Sequence, residues 1–404
     1  MAAVKYKHFT ATYHWINKNM NKKQLRVVRE IIKEVRESGD KAVRRYTQQF
    51  DGNQLINFAV SKKEIQDAYA VVDMQTIKSI KHAILNIKKF AQTQMDQLKN
   101  FEYESKGIIL GQKVEPIEIV GAYIPGGRYP LPSSALMTIV PAKVAKVKKI
   151  IICSPKIQPV TIVAADLAGA DIIFKVGGAQ AIAAMAYGTE SIPKVNKIVG
   201  PGNIYVTLAK KEIYGSCGID MLAGPSEVLI IADNTANPQF IRADLLAQLE
   251  HDPLAKATLI CLDKEILSKV KKIIKESIKN LTLVKAKDLN QAFDIANNEA
   301  PEHLVLVIKT PKKYLSKLKN FGSLFLGNYS AVAFGDYCSG TNHVLPTNKN
   351  AKFSSGLSVR DFVKIQTYQF LDKKAAKTLA KTAISLAKSE GLKEHKESVE
   401  VRIK

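Results

Sequence analysis

Residues 117–153 read IEIVGAYIPGGRYPLPSSALMTIVPAKVAKVKKIIIC, and this stretch decides the fold class. A short apolar run, IEIVGAYI (117–124), passes through a glycine- and proline-rich loop into the amphipathic segment SALMTIVPAKVAKV. A second apolar run, KIIIC (149–153), follows. Runs this short, separated by helix-length amphipathic segments, read as buried strands alternating with helices, and βαβ units of that kind build a parallel sheet. The alternation continues through DIIFKV (171–176), KIV (197–199) and EVLIIAD (227–233), with VTIVAADLAGA, AQAIAAMAYG and NIYVTLAKKEIY between them. A second series spans 240 to about 330: FIRADLLAQLEH, ATLICLD, a lysine-rich helix, LTLVK, DLNQAFDIANN, HLVLVIK and GSLFLGN. The expectation is two α/β units, the second sharing its layer with N-terminal helices.

The first hundred residues have a different texture. In QLRVVREIIKEVRES (24–38) apolar residues fall at 25, 28, 31, 32 and 35, the period of a helix. Gly39 fits a helix stop and Asp40 an N-cap for a second helix over KAVRRYTQQF. SKKEIQDAYAVV (61–72) and residues 75–99 continue the pattern. Residues 329–357 are polar, glycine-rich and too long for an ordinary connection, which marks a functional loop. Helical segments are expected from there to the C-terminus. No fixed-period repeat is visible, although a diverged duplication would escape such a search.

The 404 residues are 46% hydrophobic and 24% charged, ordinary for a globular chain, which excludes a disordered tail or a disulfide mini-scaffold. No apolar run approaches the ~20 residues of a membrane helix. The N-terminus has no signal-peptide core, and Cys153, Cys217, Cys261 and Cys338 are widely spaced, as reduced thiols would be. A cytoplasmic protein is expected. The net charge of +23 is the outlier. Its lysines line polar helix faces, as in KEILSKVKKIIKESIK, with no arginine-rich arm or aromatic platform. A solvated surface is therefore expected, and no specific nucleic-acid partner.

Candidate chemistry is spread along the chain. Glycine-rich stretches at 123–134, 176–181 and 199–203 sit where strands end and helices begin, the place where a parallel sheet binds an anionic ligand. None is a G-x-G-x-x-G, and tight turns also need glycine. Gln248 and His251 share a helix face at i, i+3, fit to hold a divalent metal with other ligands, or simply a helix-end histidine. Glu302 and His303 form an acid–base pair that reaches one pocket only from an irregular lead-in to a strand, which Pro301 favours. Asp336 and His343 lie in the loop GDYCSGTNHVLPT. Glu390 and His395 lie on the lysine-rich terminal segment, and His8, His14 and His82 have no comparable context.

Together these pieces resemble the histidinol dehydrogenase family from about residue 20 to the C-terminus. The most specific stretches are IDMLAGPSEVLIIAD with LLAQLEHDP, then PEHLVLV, then GDYCSGTNHVLPT with FSSGLSV; VGAYIPGG, VGGAQAIAA and IVGPGN occur in the expected order. The resemblance implies an α/β fold of two incomplete Rossmann-like domains, with small helical terminal elements exchanged across a homodimer. It implies boundaries at 1–18, 19–116 with 234–357, 117–233, and 358–404. It also implies oxidation of L-histidinol through L-histidinaldehyde to L-histidine with NAD+ and one Zn2+ per subunit. Carried over by position, the metal ligands are Gln248, His251, Asp336 and, from the partner subunit, His395. Glu302 and His303 are the catalytic pair; Ser226, His343 and Glu390 contact substrate, and Tyr123, Gln180 and Asn203 contact NAD. Three departures stand out: Leu222 for a common Pro, Leu249 for Ala, and NKNAK after LPT for a Gly-Gly turn. The alternative is a zinc dehydrogenase of the same fold acting on another small amino- or sulfo-alcohol. It would have lost the groups that recognise imidazole and amine, yet His343, Glu390 and His395 are present.

Overall fold

The computed structural model describes residues 22–126, 129–274 and 278–404; the N-terminal element expected over 1–18, with His8 and His14, lies outside them. Three helices come first, α1 (Lys22–Asp51), α2 (Lys62–Val71) and α3 (Met74–Met95), then two strands, β1 (Phe101–Ser105) and β2 (Ile108–Pro116). One alternating series is β3 (Ile119–Tyr123), α4 (Pro132–Val144), β4 (Lys149–Cys153), α5 (Pro159–Ala168), β5 (Ile172–Phe174), α6 (Gly178–Tyr187), β6 (Lys197–Val199), α7 (Ile204–Ile213) and β7 (Gly218–Ile219). The next is β8 (Glu227–Ala232), α8 (Pro238–Glu250), β9 (Lys256–Cys261), α9 (Lys264–Ile273), β10 (Leu281–Lys285), α10 (Leu289–Glu299), β11 (His303–Val307) and β12 (Ser323–Leu326). Then come α11 (Val332–Tyr337), β13 (Val363–Leu371), α12 (Lys373–Ser389) and α13 (Lys393–Ile403).

Each series forms a five-stranded parallel sheet, in the order β5-β4-β3-β6-β7 and β10-β9-β8-β11-β12. Numbered within its own series, each sheet runs 3-2-1-4-5. The same topology therefore occurs twice, a likeness that residue spacing did not reveal. The strands are buried on both faces: Ile150, Ile151, Ile152 and Cys153 of β4 are wholly inaccessible, and every residue of β11 is buried. That double burial is why they read as continuous apolar runs.

The N-terminal helices pack on the first sheet, and not beside the second as the sequence suggested. The α1 stripe Val28, Ile31, Val35 and Val43 meets Ile151, Phe174 and the alanine-rich α6, while Ile77, Ile80 and Ile87 of α3 meet α4. Gly39 does interrupt α1, at φ 48° and ψ −130°, but as a kink within one element. Asp40 caps nothing there. Its carboxylate is taken by Ser191, and its N–H donates to Glu190 at 2.7 Å, tying the kink to the loop after α6.

A third, antiparallel sheet of order β1-β2-β13 differs from expectation, since residues 363–371 were read as helical. β13 is exposed along most of its length, and α12 and α13 follow it, packed mainly on one another. The four cysteines are free thiols. Among the described residues no helix is long and apolar enough to cross a membrane.

Candidate active site

The three glycine-rich loops converge on Tyr123 at the carboxyl edge of the first sheet. The Tyr123 hydroxyl accepts from the Gly178 N–H at the start of α6, at 3.1 Å. Gly200, at φ +110°, passes so close that a Cβ there would come within 2.2 Å of the Tyr123 carbonyl oxygen, so only glycine fits. Gln180 is 1% exposed, yet neither atom of its carboxamide has a hydrogen-bond partner. An orphaned buried amide is costly unless a ligand completes it. Asn203 caps α7 through Oδ1, which accepts from Tyr205 and Val206, and its exposed side chain keeps Nδ2 for another partner. This is the switch point between β3 and β6, where an open parallel sheet binds its ligand.

The second sheet uses its opposite edge. His303 opens β11 and Glu302 precedes it, so the pair sits on the irregular lead-in that Pro301 suggested, and both side chains turn into one buried pocket. Glu302 Oε2 accepts from the Glu227 N–H at 2.9 Å and lies 3.7 Å from His303 Nδ1. His303 Nε2 lies 3.5 Å from Asp336 Oδ1. Neither ring nitrogen of His303, nor Gln248 Nε2, has a hydrogen-bond partner. His343 Nδ1 donates to the Asp336 carbonyl at 2.8 Å, which leaves Nε2 to accept from Ser134 Oγ at 3.3 Å and fixes the neutral tautomer. His251, at the end of α8, is exposed and lies on the Asp336 side of the site. Ser226 immediately precedes Glu227, whose N–H donates to Glu302. Ser134 begins α4 at the carboxyl edge of the first sheet, so the pocket lies where that edge meets the amino edge of the second.

The carboxyl edge of the second sheet, by contrast, is closed upon itself. Asp233 accepts from the N–H groups of Thr235 (2.8 Å) and Lys309 (2.9 Å), and Asn328 accepts from Asn237 and donates to Thr235.

Burial foremost pushes the Glu302 carboxyl above its ordinary value. Burial works to lower His303, but Glu302 and Asp336 outweigh it and hold the ring above its ordinary value. At Asp336 burial is opposed by the His303 contact, which prevails and holds the carboxyl down. His343 is lowered by burial. Glu227, absent from the sequence-based candidates, is pushed up to about 7 by burial and then by Glu302. Its side chain accepts from the Asn348 N–H at 2.9 Å. An unfolded Glu227 ionises near 4.5, so from there to about 7 the folded chain keeps a proton that the unfolded chain has lost. Stability therefore falls as pH rises through that window. Glu227→Gln, which keeps an acceptor for Asn348, should gain about 2 kcal/mol more over the parent at pH 8 than at pH 5. Denaturant titrations at the two pH values check this; a gain that does not change with pH would refute it.

In the NKNAK segment Asn348 and Lys349 both have positive φ, 53° and 65°, a region glycine favours. The segment is fastened to the chain beside Ser226 by Thr347 Oγ1, which accepts from Gly224 N–H at 2.6 Å, and by Asn350 Nδ2, which donates to the Leu222 carbonyl. Leu222 thus contributes only its backbone to this contact.

One chain thus brings together Ser226, His251, Glu302, His303, Asp336 and His343, with Gln248 buried on the helix that ends at His251. Glu390 and His395 are apart from them, exposed on the terminal helices. Among the described residues no group of three or more His, Cys, Asp or Glu stands in metal-binding array. Ser134 and Glu227 were missed by the sequence reading. Ser134 lay inside a quoted glycine-rich stretch, and Glu227 adjoined Ser226.

Comparison with known proteins follows the same outline. A family model described as histidinol dehydrogenase matches residues 16–403. The histidinol dehydrogenase of Methanocaldococcus jannaschii is 49% identical over 398 residues, spanning 94% of this chain and 92% of the relative. That of Bacillus cereus is 47% identical over 395 residues, spanning 93% and 92%. The crystal structure of histidinol dehydrogenase from Elizabethkingia anophelis superposes with a TM-score of 0.89 at 38% identity, covering 94% of this chain and 92% of that one.

Proposed function

This chain belongs to the histidinol dehydrogenase family, oxidoreductases of histidine biosynthesis, and from that premise we propose that it converts L-histidinol through L-histidinaldehyde to L-histidine, using zinc and two NAD+. The observation that carries the reading is the buried Glu302–His303 pair, set beside polar atoms that have no protein partner. Gln248 and Asp336, with His251 at the rim, are the donors this chain offers a metal, and His395 of a second copy completes four. An amide, two imidazoles and a carboxylate suit zinc. The orphaned Gln180 amide and the free edge of Asn203 suit the polar groups of a dinucleotide.

Gln248, His251, Asp336 and the partner's His395 would hold the zinc, which when bound would fix the substrate's orientation, and NAD+ would supply the hydride acceptor. His303 takes the hydroxyl proton as the first hydride leaves the carbinol carbon. It can do so only when neutral, and Asp336 favours the protonated ring until that carboxylate is engaged elsewhere. Glu302 takes a proton from the water whose oxygen adds to the aldehyde carbon, and its raised pKa makes it a better base than an ordinary glutamate. The oxyanion so formed expels the second hydride and becomes the carboxyl group. One water enters, and two hydrides and two protons leave.

The homodimer is supported by what one chain leaves uncovered. Phe101 (54% exposed), Tyr103 and Leu110 stand out together from one face of the antiparallel sheet. A patch of that kind marks an interface. The cofactor half corresponds to residues 117–233 and the metal-bearing half to 234–357, with 358–404 reaching the partner; a cytoplasmic setting fits the free cysteines. Counting NADH formed per L-histidinol consumed tests the whole reading. Two are expected, lost on chelation and restored by zinc. One NADH per substrate would remove Glu302 from its role, and none would favour a different alcohol.

A further inference from the structure

Lys210 of α7 and Asp220, just beyond β7, form an ion pair with 3% and none of their side-chain surfaces exposed. Between them they hold one residue by both its backbone groups. Lys210 Nζ donates to the Gly200 carbonyl at 2.9 Å, and Asp220 Oδ2 accepts from the Gly200 N–H at 2.7 Å. Asp220 Oδ1 also accepts from the Met221 N–H at 2.6 Å. Gly200 is the residue that presses on the Tyr123 carbonyl and leads to Asn203. Met221 leads to Ser226, and Thr207, one turn before Lys210 on α7, donates from Oγ1 to the Ala223 carbonyl of the same segment. Taking two charges out of water costs more than filling the space with apolar groups, so packing alone does not account for the pair. Its hydrogen bonds all go to two backbone segments, one entering the cofactor edge and the other the substrate pocket.

We propose that Lys210 and Asp220 are positioning residues that pre-set the Val199–Asn203 turn for NAD+ and fix its placement relative to the segment carrying Ser226. This rests on the reading that the cofactor binds at the carboxyl edge of the first sheet. Pre-setting the turn lowers the ordering cost of binding, so its loss appears in affinity before it appears in chemistry.

The test is the double variant Lys210→Met with Asp220→Asn, which removes both charges so that neither is left buried alone. Its KM for NAD+ should rise about tenfold, the scale of one or two lost hydrogen bonds, with kcat at saturating NAD+ within about threefold of the parent. An unchanged KM with a reduced kcat would mean general structural damage and overturn the proposal. Gln180→Ala, assayed alongside, separates the two levels of inference. If it raises the NAD+ KM while the double variant does not, only the positioning role falls; if neither raises it, the cofactor reading falls and takes the positioning role with it. Should the double variant not fold, amide exchange in the parent decides. Residues 198–206 should exchange as slowly as the core before NADH is added, and exchange at the rate of an open loop would refute a pre-set turn.

Discussion

Glu302→Gln should lower L-histidine formation by about 10³-fold, within the range expected when a general base is removed. The amide can still accept from the Glu227 N–H, so the pocket keeps its shape. What it loses is the ability to take a proton from water. In the proposed reaction the first oxidation uses His303, and a rapid-mixing experiment should therefore show one NADH per site formed at near-parental rate, followed by a stall. Removing the neighbouring charge also relieves Glu227, whose pKa should fall from about 7. Equal loss of both NADH phases would mean that Glu302 acts only through His303.

The second large effect depends on two chains. His395→Ala and Glu302→Ala homodimers should each have under about 1% of parental activity, one lacking the proposed metal ligand and the other the proposed base. In a mixed dimer, one site combines an intact Glu302 from one chain with an intact His395 from the other. Random exchange of equal amounts makes half the dimers mixed, each with one good site, so about a quarter of parental activity should return. No recovery, with subunit exchange verified by mass, would place His395 in its own chain's site or in none. The exposed position of α13 in the single chain is what makes the experiment informative.

Burial set the limits of what could be read from residues alone. Strands covered on both faces, such as KIIIC and HLVLV, declare themselves as apolar runs. FEYES and VKIQTYQFL do not, because most of their side chains are exposed in the single chain, and no apolar contrast separates one face from the other. The N-terminal helices were recognised by period, but a stripe does not say which sheet it faces. Within the site, Pro301 betrayed the lead-in that turns Glu302 and His303 together. Lys210 gave no such sign, because it stands next to Lys211 and nothing in the pair of lysines tells which one is buried. Gln180 looked like an ordinary polar residue until the fold buried it with no hydrogen-bond partner for its amide.

The antiparallel sheet has a bearing on how the chain is made. Its middle strand, β2, pairs on one side with its immediate neighbour β1 and on the other with β13, close to the end of the chain. Both parallel sheets can condense from local segments as synthesis proceeds. β2 must wait with one edge bare until residues 363–371 leave the ribosome, and a bare edge invites pairing with the wrong chain. Of its three strands, the one synthesised last therefore closes the sheet. Only then is the segment that carries Glu390 and His395 anchored.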